Sequence, residues 1–126
     1  MKHVAAFCLT LLLLLPNVAS AQYVMDLGSL INALRVGDFS GDLENLDNAR
    51  SISVTRVSKL SGIRIQGALL DRTVAARDRV LTYLRAIIRQ NKLAMKALAI
   101  HHEALEDVIF LTTTNDGSAM LYVDDR

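Results

Sequence analysis

The sequence predicts an α+β domain: a small three-stranded antiparallel sheet, one strand plus a C-terminal hairpin, packed against a long amphipathic helix, with a short N-terminal helix before it. Three observations carry that prediction. Residues 51–57 alternate polar with apolar β-branched side chains, the period of a strand with one buried face. Leu70, Val74, Arg77, Leu81, Leu84 and Ile88 step by threes and fours, the period of a helix with an apolar stripe. Two runs rich in strand-forming residues flank Asp116-Gly117, a pair that readily takes the positive φ angles of a tight hairpin turn.

Ahead of the domain, residues 4–15 carry no charge and are mostly Leu and Ala. Crossing a bilayer takes roughly 20 apolar residues in a helix, so this run is too short for an anchor. Pro16 and Asn17 follow it, then the small-residue run Ala19-Ser20-Ala21, which suits a signal peptidase. The expectation is a signal peptide over residues 1–21, cleavage after Ala21, a single domain over 22–126, and a periplasmic or secreted location. Cys8 is the one cysteine and leaves with the signal, so the mature chain relies on its core rather than on disulfides. No Asn-x-Ser/Thr acceptor occurs, which favours a bacterial periplasm over a eukaryotic secretory route.

Residues 25–36 read as the first helix, with Leu27, Leu30, Ile31 and Leu34 on one face. Gly37 is placed to close it in the left-handed conformation. A polar connection over 36–48 follows, with one helical turn near 43–46. In the strand, Ile52 and Val54 face one side, Ser53 and Thr55 the other. The long helix is expected over 68–90, with Gly67 just before it. Arg77 falls on its apolar seam, where an unpaired guanidinium would be costly. It is expected to curl outward or to pair with Asp124 or Asp125. Asn91 also falls on the seam and predicts a break, with Asn91 capping a second helix; one uninterrupted helix to His101 is the alternative.

With Asp116-Gly117 as a two-residue turn, Thr112 pairs with Leu121, Leu111 with Tyr122 and Phe110 with Val123. One hairpin face then carries Val108, Phe110, Leu121 and Val123, the other Ile109, Leu111, Met120 and Tyr122. Both faces are apolar, whereas a sheet solvated on one side alternates apolar with polar. Both therefore need a cover: the long helix on one, the N-terminal helix or another molecule on the other.

Overall charge is close to balance, 14 Lys and Arg against 13 Asp and Glu, which gives no reason to expect nucleic acid as a partner. Its distribution is uneven. Basic residues dominate 64–96 and acidic ones dominate from 101 to the end. Arg85, Arg89, Lys92 and Lys96 step by four, three and four, so a continuous helix would align them as an anionic-surface contact.

Other constellations carry less. His102 and Glu106 share a helix face, but zinc needs three or four ligands, and the ordinary reading is a helix end. The 38–44 loop alternates oxygen ligands, yet Leu43 and Ala49 stand where a calcium loop needs Gly and Glu. No catalytic nucleophile motif or glycine-rich phosphate loop occurs. No cofactor or metal is implied and no enzyme is indicated. The expected function is an exported, non-enzymatic protein that self-associates or binds a protein partner through apolar hairpin surface. The alternative is peripheral attachment to an anionic membrane surface through Arg85, Arg89, Lys92 and Lys96.

Overall fold

A computed structural model describes residues 23–126, and the expected signal and its cleavage point lie outside that range. The described residues form an α+β fold with five helices and a three-stranded mixed sheet. The helices are α1 (Leu27–Val36), α2 (Ser40–Leu46), α3 (Ile63–Ala76), α4 (Asp78–Ile88) and α5 (Lys92–Ile100). The strands are β1 (Ser51–Arg56), β2 (Val108–Thr113) and β3 (Ser118–Val123).

Asp26 starts α1 by accepting the Ser29 N–H at 2.8 Å. Its four predicted apolar positions are all buried. Gly37 does not close it in the left-handed region: its backbone is extended, at φ −73° and ψ 139°, and its N–H returns to the Ala33 carbonyl. The left-handed residue is Phe39, at φ 62°. That backbone costs about 1–2 kcal/mol on a side chain with a Cβ, which burial of the ring offsets at about 1.5–3 kcal/mol. The ring is 4% exposed and meets Phe110 edge-on at 4.9 Å. The polar connection after α1 holds more helix than expected, since α2 occupies seven residues.

The long helix begins earlier than predicted, at Ile63, and breaks at Arg77. Gly67 therefore lies inside α3, where a Cβ would sit 2.9 Å from the Arg126 guanidinium. At the break, the Arg77 N–H is shared between the carbonyls of Thr73 and Val74, and Thr73 Oγ1 donates back to Leu69 O at 2.8 Å, a bond that bends helices. Arg77 pairs with neither Asp124 nor Asp125. Its guanidinium donates to the Gly37 carbonyl, tying the break to the end of α1. Asp124 is taken by Arg126, and Asp125 by Ser58. The second break falls where Asn91 predicted it: Asn91 Oδ1 accepts the Ala94 N–H at 2.9 Å and its amide donates to Leu46 O at 3.2 Å.

The sheet order is β1-β3-β2, with β1 parallel to β3 and β2 antiparallel to β3. It is mixed rather than wholly antiparallel. The outer side of β2, the other place β1 could have paired, is occupied by side chains. Asp42 Oδ1 accepts the Thr113 N–H at 3.1 Å, and Arg85 Nε donates to Val108 O at 2.9 Å. The chain between β1 and β2 is long enough for β1 to join the far side of β3 in parallel, which needs a dozen or more intervening residues.

The hairpin register is one residue off the expected one. Phe110 faces Tyr122, Leu111 faces Leu121 and Thr112 faces Met120. Thr114 N donates to Ser118 O, so the loop holds Asn115, Asp116 and Gly117, with Gly117 at φ 93°. Three-residue loops of this kind close on a left-handed residue. A bulge at Ile109 then shifts the register so that Val108 pairs with Val123. Directly opposed residues share a face, so Phe110, Met120 and Tyr122 lie on one side and Leu111, Leu121 and Val123 on the other. Every one of these is at most 6% exposed. The Phe110 face meets Phe39, and the Tyr122 hydroxyl accepts the Met25 N–H at 3.1 Å. The Leu121 face continues onto Val54 and Ile52 of β1, beside α5.

Candidate functional site

The apolar side chains of the hairpin are buried on both of its faces. The exposed apolar surface that adjoins the sheet lies at β1. That strand has the sequence Ser-Ile-Ser-Val-Thr-Arg. Ser51 and Ser53 are exposed, while Ile52 and Val54 are half-buried, as its alternation predicts. One long side of the strand pairs with β3; no described backbone group pairs with the other. Residues 52–55 carry no charge and no proline, the usual devices that blunt a sheet edge.

Helix α5 runs along this edge. Ala94, Ala97 and Leu98 are buried, whereas Leu93 is 38% exposed and Ile100 63% exposed. Leu93, Lys96, Ala97 and Ile100 are spaced by three, four and seven, hence share a helix face. With Ile52 and His101 they line a groove of about 270 Å³. The lower end of the groove is fixed. Arg56 Nε donates to Glu103 Oε1 at 2.6 Å and its Nη2 to His101 O at 2.8 Å. The turn at the end of α5 closes on itself through Glu103 N to Leu98 O, with His102 left-handed at φ 56°. The upper end is tied to the hairpin turn, where Arg50 N and Ser51 N both donate to Gly117 O and Arg50 Nη2 donates to Asp116 O.

The predicted basic stripe is not continuous. Asn91, extended at φ −95° and ψ 109°, separates its two halves. Arg85 is half-buried and committed to the Val108 carbonyl on the β2 side. Arg89 is exposed at the end of α4. Lys92 and Lys96 are exposed on α5, and Lys96 lines the groove. The structure therefore brings only part of the stripe to the site, together with Ile52, Leu93 and Ile100. The signal available for them was the Lys96 set between Leu93 and Ile100 on one helix face.

The remaining candidates sit elsewhere and have structural partners. Asp38 accepts from Ser40, which holds its carboxyl below the ordinary range; Asp42 accepts from Thr113. The two thus act as a turn and an edge clasp. Glu103 is taken by Arg56. Among the described residues no cluster of three His, Cys, Asp or Glu side chains is spaced to hold a metal ion, and no helix is long and apolar enough to cross a membrane. A larger hollow, about 490 Å³, lies at the α3–α4 break, but consecutive residues from Ala75 to Val80 line it, so no second element converges on it. Compared with protein-family models, with curated proteins and with solved structures, the chain matches none of them.

Proposed function

We propose that this is an exported, non-enzymatic binding protein whose docking element is the open edge of β1 with the groove beside α5. The occupant is a protein chain, either a second copy or another protein. The observation that carries the reading is the coincidence of two features that each favour association. Unpaired strand backbone offers hydrogen bonds to an incoming extended chain, and Leu93 and Ile100 leave apolar surface against that same edge. Surface of that kind, rimmed by polar residues, marks interaction sites. The export half of the proposal rests on the sequence of residues 1–21.

Panning a random peptide library against the mature chain tests it. The expected result is enrichment of peptides that bind the wild type and lose binding to the Ile100→Gln variant. Ile100 is exposed and Gln is a good helix former, so the variant keeps the fold. Absence of any enriched peptide, or equal binding by both proteins, contradicts the reading.

A further inference from the structure

We propose that the occupant of this edge is an extended acidic segment of another protein, which adds a fourth strand to β1, sets an apolar side chain against Ile52, Leu93 and Ile100, and places a carboxylate on Lys96. The inference rests on the docking reading above and names the partner's chemistry. The first argument is backbone geometry. The outer side of β1 presents N–H and C=O groups at strand spacing, and an extended chain satisfies them all at once. Successive side chains of that chain point to opposite faces, and those two apart recur on one face at about 7 Å. A single face of the added strand therefore delivers an apolar residue to the groove and, two positions on, a second side chain to its rim.

The second argument is charge. The rim of the groove on α5 carries the exposed Lys96, with the exposed His101 at the far end; Lys92, also exposed, lies one turn before Lys96 on the same helix. Glu103, at the His101 end of the groove, is already bound to Arg56 at 2.6 Å. A second copy is a poorer match. Antiparallel pairing of β1 with its own twin places both α5 helices on the same face of the joined sheet, setting one lysine-bearing rim beside another rather than beside carboxylates. Like charges set opposite each other suppress a pairing, whereas opposite charges favour it. An acidic strand from a different protein gains the same backbone bonds and apolar contact while meeting the lysines with carboxylates.

Fluorescence anisotropy with labelled synthetic peptides on the mature chain tests the inference. One peptide sets valine and glutamate in turn at every second position with serine between them, so that both lie on one face; in a second, serine replaces the glutamates, and in a third lysine does. A fourth is the valine–glutamate peptide N-methylated along its hydrogen-bonding edge. The acidic peptide should bind about tenfold tighter than the serine peptide at low salt, with the gap closing as salt is raised. N-methylation should abolish binding, and Lys96→Glu should shift preference to the lysine peptide; Lys96 is exposed, and circular dichroism checks that the variant folds. If the serine peptide binds as well as the acidic one, acidic specificity is wrong and the docking reading survives. If N-methylation has no effect, strand addition is wrong. If no peptide binds and light scattering reports a dimer, the occupant is a second copy and the inference is overturned. If no peptide binds a monomer, the inference and the docking reading fall together.

Discussion

At β2 the sheet ends in side chains from two helices. Asp42 of α2 takes the Thr113 N–H, Asn45 reaches the Thr113 hydroxyl, and Arg85 of α4 donates to Val108 O. At β1 the same sheet ends in four uncharged residues, 52–55, with no described backbone alongside. An unprotected edge invites pairing, and proteins routinely cover it or charge it. Among the described residues this is done at β2, with three polar side chains, and not at β1. The contrast is one of protection, and β3 shows what both edges support: it is paired on both sides and holds Leu121 and Tyr122 at 0% exposure.

The largest effect tests the middle strand. Leu121→Ala should lower stability by about 2–5 kcal/mol, read from the urea midpoint; a loss below about 1 kcal/mol would contradict its place at the centre of the core. Next comes the clasped edge. Asp42→Ala strands the Thr113 N–H and hydroxyl, which sit at 3.1 and 2.7 Å from its carboxylate. The expected cost is about 1–3 kcal/mol, with faster amide exchange at Thr113. The bare edge should be far less sensitive: Ile100→Gln is expected within about 0.5 kcal/mol of wild type while removing peptide binding.

The smallest effect is a pH dependence at the end of β1. Burial alone would raise the Asp125 carboxyl, but the hydrogen bonds from the Ser58 hydroxyl and N–H outweigh it and hold the group below its ordinary value. A carboxyl depressed in the folded state contributes stability that is present above its unfolded pKa and lost as pH falls through the folded one. Ser58→Ala should therefore be slightly less stable than wild type at neutral pH, with the two curves converging below about pH 4. Parallel curves throughout would contradict the linkage.

Much of this was legible from local pattern. Ile52 and Val54, the α1 stripe and the Asn91 cap follow from spacing and from one side chain's local chemistry. What escaped depends on distant partners. The break at Arg77 contains neither proline nor glycine and coincides with a bond to Gly37, 40 positions away. The pairing of β1 with β3 rather than with β2 goes with Asp42 reaching Thr113 across 71 positions, which nothing near either residue announces. The hairpin was misread by one residue because Asp116-Gly117 suits a two-residue turn, whereas Asn115 joins the loop and Gly117 alone takes the positive φ. The site was the least legible part: Leu93 and Ile100 are simply apolar residues of a helix in the sequence, and only the fold sets that helix beside β1.

Residue-resolved hydrogen exchange across both edges, with and without the acidic valine–glutamate peptide, tests the central claim most directly. The outward amides of β1 should exchange rapidly in the isolated chain and slow at least about tenfold when peptide binds, as new backbone hydrogen bonds form, while Thr113 on β2 stays protected throughout. Outward β1 amides already as protected as Thr113 in the isolated chain, or unchanged at saturating peptide, would contradict it.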